Sequence, residues 1–168
     1  MKKSVIITLV SAISLSFAGI ASAETQPDLL ISDGKGEPKG GDIYGGPRGQ
    51  SIRVSTIGSR PVSFHVGLQN DGDEADRIGV RGSGRDRKFL VRYTSGGENV
   101  TGQVVRGLRL GLEPDEAARI KATVKATRAT KGRNARKAFR FSAISGKDRS
   151  KRDSALAFVL KRKSPGRN

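Results

Sequence analysis

The chain has 168 residues, a formal net charge of +16 at pH 7, no cysteine and no tryptophan. Without cysteine, neither a disulfide framework nor a thiolate metal site can form, so stability must come from burial and backbone pairing. The length favours a single domain that is large enough to enclose its own core.

The first 23 residues have the pattern of a secretory signal peptide. Lysines stand at positions 2 and 3, residues 5–20 are mostly apolar, and Ala-Ser-Ala at 21–23 is a small-residue cleavage pattern. We therefore predict an exported protein, periplasmic or secreted, whose mature chain begins at Glu24. An uncleaved membrane anchor is the alternative, although the apolar run is short for a bilayer span of about 20 residues.

Short segments of alternating apolar and polar residues follow, separated by turn residues. A glycine-rich loop over 33–49 lacks the Gly-Lys-Ser/Thr ending of a phosphate-binding loop, so we predict a structural loop. Only residues 114–120 could hold a turn of helix. Strands are predicted at 27–31, 50–57, 62–69, 78–80, 88–93, 100–105, 120–127, 139–143 and 155–160.

About eight or nine strands at roughly ten-residue spacing predict an all-β fold, an Ig-like antiparallel β-sandwich. It would cover residues 24–162, with a basic tail at 163–168. A closed barrel is the structural alternative. The apolar rows predict a core between two sheets that contains Phe64, Val66, Ile78, Val80, Phe89, Val91, Ile120, Val124, Phe139, Phe141 and Phe158.

Two turn motifs resemble those of a known family. Asn70 and Gly72 form an N-x-G turn between two predicted strands, and residues 112–116 form an L-x-P-x-E turn before an alternating strand. With the PDLLI start and an Ile-Tyr pair in the glycine-rich loop, they resemble the cell-adhesion-related Ig-like domains of secreted bacterial proteins. The resemblance implies a non-catalytic adhesion or spacer module. Asp115 stands where these domains usually have glycine, so the geometry of that turn is open.

No catalytic or cofactor motif stands out in the sequence. His65 is the single histidine and falls on an outward row, so it lacks the partners that a zinc site or a catalytic triad needs. The acidic residues at 71–76 could supply oxygen ligands to Ca²⁺, but their spacing is not that of an EF-hand and such residues favour turns. We predict no enzyme activity, no cofactor and no metal, with Ca²⁺ at the acidic turn as an open alternative.

The positive charge is concentrated in the last third of the chain. Residues 24–118 carry 13 basic and 14 acidic side chains, a net −1, whereas residues 119–168 carry 17 and 2, a net +15. Such an excess predicts a surface that binds polyanions, namely anionic envelope polymers, lipopolysaccharide or extracellular nucleic acid. Its predicted members are Lys121, Lys125, Arg128, Lys131, Arg133, Arg136, Lys137, Arg140, Lys147, Arg149, Lys151 and Arg152.

The low aromatic content argues against stacking on bases, so binding should respond to phosphate or sulfate charge. Reversing the charge of Lys131, Arg133 and Lys137 should weaken binding more than reversing the three cations at 85–88, which lie in the balanced part of the chain. The alternative function is a structural spacer or a protein-partner-binding domain whose positive charge is incidental.

Overall fold

The computed structural model describes residues 24–164, which form two five-stranded β-sheets packed face to face. The predicted signal peptide lies outside these residues. The strands are β1 (Pro27–Ser32), β2 (Ser51–Ile57), β3 (Val62–Asn70), β4 (Asp76–Gly82), β5 (Phe89–Ser95), β6 (Glu98–Asn99), β7 (Leu108–Leu112), β8 (Ala117–Ala126), β9 (Ala135–Ile144) and β10 (Arg152–Arg162). One α-helix, α1 (Thr101–Arg106), and a 3₁₀ turn at Arg128–Thr130 complete the described elements.

The predicted all-β sandwich is confirmed, with ten strands rather than eight or nine. Sheet A has the strand order β1-β3-β8-β5-β6, and sheet B has the order β2-β10-β9-β4-β7. The strand pairs are antiparallel except for β2 and β10, which run parallel. The prediction that all strand pairs are antiparallel is therefore wrong for β2 and β10. The glycine-rich loop carries the chain from β1 in sheet A to β2 in sheet B, and β2 then runs parallel to the last strand.

Aromatic rings from both sheets meet in the centre of the core. The ring centroids of Phe64 on β3 and Phe141 on β9 are 5.8 Å apart, and the rings meet edge to face at 78°. Tyr93 on β5 makes the same kind of contact with Phe141 at 5.7 Å. Because edge-to-face pairs add to the free energy gained by burying the rings, these contacts help to hold the two sheets together.

The predicted core is confirmed for nine of its eleven members. Val91 is only partly buried, and the prediction for Phe158 is wrong because its side chain is 38% exposed. The inward row of β10 is instead its small residues at 155, 157 and 159. Two of these are alanines paired with Phe139 and Phe141 on β9, and their small side chains leave room for both rings.

The strand predicted over 100–105 is wrong, because these residues form most of α1. Val104 N donates to Val100 O at 2.9 Å, and Val104 is the helix residue that faces the core. Valines four residues apart share one face of a helix, which the alternating pattern did not reveal. The edge strand β7 after α1 was not predicted, and residues 114–116 form a turn that leads directly into β8. No helix among residues 24–164 is long and apolar enough to cross a bilayer.

Asn70 joins the two turn motifs. Its Nδ2 donates to the carbonyl oxygens of Glu74 at 2.8 Å and Leu112 at 3.1 Å. Its Oδ1 accepts a hydrogen bond from Gly72 N at 3.2 Å. Asp115, in the second turn, has a φ of +61°, the left-handed conformation that glycine adopts most easily. The second turn therefore keeps a left-handed residue at that position although glycine is absent.

Candidate functional site

The outward side of sheet B carries arginine as its only charged residue type. Alternate residues of each strand point away from the core, so that Arg136 and Arg140 on β9 are exposed while Phe139 and Phe141 are buried. The five outward rows present eight arginines and no lysine or carboxylate. We call this surface the arginine face, and its members are Arg53, Arg77, Arg81, Arg109, Arg136, Arg140, Arg152 and Arg162.

No arginine of this face forms an ion pair within residues 24–164. The ion pairs found in that range all involve lysine: Lys137 with Asp86 at 2.9 Å, Lys147 with Glu74 at 2.7 Å, and Lys151 with Glu24. Because no ion pair in that range neutralises these guanidinium groups, their fields add and the arginine face has a positive potential.

The twelve cations predicted from the sequence are divided among several surfaces. Arg136, Arg140 and Arg152 lie on the arginine face. Lys121 and Lys125 lie on the outward row of β8 in sheet A, on the opposite side of the sandwich. The remaining cations lie in the loop before β9, in β9 itself and in the loop before β10: Arg128, Lys131, Arg133, Lys137, Lys147, Arg149 and Lys151.

Lys137 has a structural role that its position in the sequence did not show. It lies on the inward row of β9, where its Nζ is 4.9 Å from the centroid of the Phe139 ring. The same Nζ donates to Gly84 O at 2.8 Å and pairs with Asp86. Its positive charge is thus balanced by a neighbouring carboxylate, and reversing it would disturb the end of the core as well as the surface charge.

Five members of the arginine face were missed by the sequence analysis. They are Arg53, Arg77, Arg81, Arg109 and Arg162. Four of them come from residues 24–118, whose charges sum to nearly zero, so a total taken along the chain hides them. Strand alternation was the available signal, because Arg77 and Arg81 occupy the positions next to the buried Ile78 and Val80.

The cations at 85–88 lie next to the basic loop before β9, so they are unsuitable as the control for reversing charges in that loop. Thr127 N donates to Lys88 O at 2.9 Å, and Thr127 Oγ1 donates to Arg87 O at 2.6 Å. Asp86 in the same segment pairs with Lys137. A charge-reversal experiment therefore needs its control elsewhere on the molecule.

His65 lies on the outward row of β3, paired with Lys121 on β8. Partial burial, and then the positive charges of Arg119 and Lys121, lower the pKa of His65 below its usual value. The lowered pKa reduces the charged share of the imidazole at neutral pH, so His65 adds little to the positive potential of sheet A.

Buried carboxylates lie beneath the glycine-rich loop. Asp153 Oδ2 accepts a hydrogen bond from Leu29 N at 2.8 Å, and Gln50 Nε2 donates to both oxygens of Asp153 at 3.0 Å. Asp28 is only 2% exposed, and its Oδ1 has no hydrogen-bond partner within the described part of the chain. Burial, and then the charges of Asp71 and Asp153, raise the pKa of Asp28 to about 7. These groups connect the loop and both sheets.

The acidic turn at 71–76 is held by local contacts. Its carboxylates accept hydrogen bonds from Tyr44 Oη to Asp71 at 2.9 Å, from Glu24 N to Asp73 at 2.5 Å and from Gly146 N to Asp76 at 3.1 Å. Glu74 forms the ion pair with Lys147. Within residues 24–164, no three histidine, cysteine, aspartate or glutamate side chains lie close enough together to hold a metal ion.

No protein-family model matches this sequence, and no curated protein matches it. Among solved structures, the N-terminal domain of PorA has a TM-score of 0.47 and 7% identity, covering 82% of this chain and 99% of that one. The PapD-like domain 7 of human CEP192 has a TM-score of 0.42 and 7% identity, covering 95% and 100%. The secreted serine protease VesC from Vibrio cholerae has a TM-score of 0.43 and 9% identity; the match covers 67% of this chain and 22% of VesC. These similarities are weak, and the fold described above rests on the strand pairing of this chain.

Proposed function

We propose that this chain is an exported, non-catalytic binding domain whose arginine face contacts anionic polymers of the cell envelope or the extracellular space. One observation carries the proposal: the outward rows of sheet B present eight exposed arginines and no carboxylate. Guanidinium groups bind phosphate, sulfate and carboxylate oxygens through paired hydrogen bonds and stay charged at every physiological pH.

The shape of the face favours a polymer over a single small anion. Neighbouring strands lie about 4.8 Å apart, so the five strands of sheet B span about 20 Å. A linear polyanion that crosses this width would meet several arginines in turn. We therefore expect affinity to follow the charge density of the polymer rather than its sequence.

Retention on heparin across a salt series tests this function. The variant with Arg53, Arg136 and Arg140 changed to glutamate should elute at much lower salt than the parent, because fewer counterions are released on binding. The slope of log affinity against log salt should fall by roughly two to three. Changing Lys35, Lys39 and Arg48 to glutamate is the matched control, since these exposed cations of the glycine-rich loop give the same change in net charge.

Passage of the parent protein through heparin at low salt without retention would refute polyanion binding. An equal loss in the control variant would show that net charge, and not the arginine face, determines retention. Export is tested separately by the mass of the protein recovered from the envelope or medium. We expect a chain that begins at Glu24, and a retained 1–23 segment would contradict export by a cleaved signal peptide.

The apolar side chains on the same face support a second candidate, an acidic protein partner. Phe158 is 38% exposed, and Ile57 on the neighbouring strand is 54% exposed. Arginine and aromatic residues are enriched in protein–protein interfaces, where they supply most of the binding energy. A protein partner would be weakened by Phe158→Ala at constant charge, whereas heparin retention would not change.

A further inference from the structure

The side of the arginine face nearest β7 contains a groove of about 890 Å³. Its cationic lining comes from three separate parts of the chain. These are Arg77 and Arg81 on β4, Arg106 and Arg109 at the end of α1 and on β7, and Lys147 and Arg149 in the loop before β10. Two carboxylates, Asp76 and Glu113, also line the groove, and Lys147 forms its ion pair with Glu74, so these ionised side chains sum to +3 (six basic minus three acidic).

The floor of the groove is formed by strand glycines that the fold does not require. Gly111 lies on the outward row of β7, and a Cβ built there meets nothing within 4 Å. A Cβ at Gly79 on β4 would come no closer than 3.8 Å to Ile144 O. Neither residue has a positive φ. Glycine weakens a strand, and it often marks a bulge, a tight bend or a place where a ligand or another backbone approaches closely.

Two hydrogen bonds fix part of the cationic lining of this groove. Arg81 Nε donates to Val105 O at 3.1 Å, which fixes the side chain against α1. Asp76 Oδ1 accepts a hydrogen bond from Gly146 N at 3.1 Å and so ties the loop before β10 to β4. That loop brings Arg149 to the groove. An anion that enters would therefore meet Arg81 already positioned, which lowers the entropy cost of binding to it.

We propose that this groove is a discrete site for a ligand that carries two or more phosphate groups in one short segment. The proposal rests on the proposed function, since the groove shares Arg77, Arg81 and Arg109 with the arginine face. It assigns a defined binding site to one part of that face. Arginines on the neighbouring strands β4 and β7 can each take one phosphate through paired hydrogen bonds. The glycine floor gives the ligand's backbone the room that a side chain would occupy.

Calorimetric titration with inorganic tripolyphosphate and with inorganic monophosphate tests the site. We expect the parent protein to bind tripolyphosphate at least about tenfold more tightly than monophosphate, because a single phosphate engages fewer of the arginines. Gly111→Val leaves every charge in place but fills the floor of the groove with a side chain. It should weaken the binding of tripolyphosphate by about tenfold or more. Ala138→Val is the matched control, since it adds a branched side chain to the outward row of β9 outside the groove lining.

Thermal melts of both valine variants establish that they fold, and Arg109→Gln provides a second variant that keeps the glycine floor. Unchanged tripolyphosphate binding in Gly111→Val and Arg109→Gln would overturn the proposal, as would equal affinity for monophosphate. Heparin retention of Gly111→Val should match that of the parent, because the arginines remain. If the parent protein itself is not retained on heparin, that result counts against the proposed function instead.

Phosphatidylcholine vesicles with and without cardiolipin distinguish a lipid headgroup from a soluble phosphate, since cardiolipin carries two phosphates in one headgroup. Cardiolipin-dependent binding that tripolyphosphate displaces would show that the groove recognises the paired phosphates of a lipid. Tripolyphosphate binding without vesicle binding would indicate a soluble ligand. Binding to neither probe would overturn the site.

Discussion

The region beneath the glycine-rich loop and the arginine face use charge in opposite ways. Under the loop, Asp28 and Asp153 are buried, and Asp153 is held by hydrogen bonds that connect both sheets. On the arginine face, eight guanidinium groups lie in solvent without an acidic partner within residues 24–164. The first region therefore makes the stability of the fold depend on pH, whereas the second has no acidic side chain among the described residues to neutralise its charge.

The largest loss of stability is expected in the aromatic core that lies between these two regions. Phe64→Ala removes a ring in contact with Phe139 and Phe141 and should lower the free energy of unfolding by about 3–5 kcal/mol. His65→Ala, on the outward row of the same strand, should cost less than about 1 kcal/mol. Denaturant melts measure both values, and equal losses would mean that the inward and outward rows of β3 are assigned wrongly.

The next effect concerns the buried carboxylates and pH. The pKa of Asp28 is raised from 3.8 to about 7, so between these values the folded state holds a proton that the unfolded chain releases. The free energy of unfolding should therefore fall as pH rises from about 4 to about 7 and level off above that. Burial also raises the pKa of Asp71 and of Asp153, and both groups act in the same direction.

Asp28→Asn removes this titration and tests the first region directly. At pH 8 the variant should be more stable than the parent by a few kcal/mol, at most about 4, since one pKa unit corresponds to about 1.4 kcal/mol. At pH 4 the two proteins should differ little. Glu37→Gln, an exposed change in the glycine-rich loop, is the matched control for the loss of a carboxylate. A variant less stable than the parent at pH 8 would show that ionised Asp28 stabilises the fold.

The sequence predicted the sandwich because most strands have one buried row and one exposed row, as in Phe64, His65 and Val66 of β3. It failed at α1, where Val100 and Val104 fit helix and strand equally well and the packing of Val104 decides between them. It also failed at Phe158, because β10 is apolar on both rows and alternation alone cannot tell which row faces inward.

The candidate site was harder to predict than the fold. A charge total along the chain located Arg136 and Arg140 but not Arg53 or Arg77, since strands distant in sequence become neighbours only in the sheet. The same total counted Lys161, which is a buried lysine with a structural role. Its Nζ donates to Thr130 O at 2.6 Å and Arg133 O at 2.5 Å.

Lys161→Met should have an intermediate effect. The change leaves the carbonyl oxygens of Thr130 and Arg133 without this donor, and should lower the free energy of unfolding by about 1–3 kcal/mol. Lys163→Met, an exposed lysine two residues later, should cost less than about 0.5 kcal/mol. Chemical denaturation compares the two variants. An unchanged free energy of unfolding for Lys161→Met would show that Lys161 contributes no more to stability than an exposed lysine does.

The smallest effect on stability is expected on the arginine face itself. Changing Arg53, Arg136 and Arg140 to glutamine removes three charges but keeps much of each side-chain stem, including the part of Arg53 beside its cross-strand neighbour Phe158. With no ion pair to lose among residues 24–164, the free energy of unfolding should change by less than about 0.5 kcal/mol. At low salt the variant should be slightly more stable than the parent, because repulsion among the arginines is then less screened.

A loss above about 1 kcal/mol would mean that these arginines hold the sheet together. The arginine face would then affect the stability of the fold, as the buried carboxylates do. A stable variant that has lost heparin retention would show that the fold does not need these charges and that binding does.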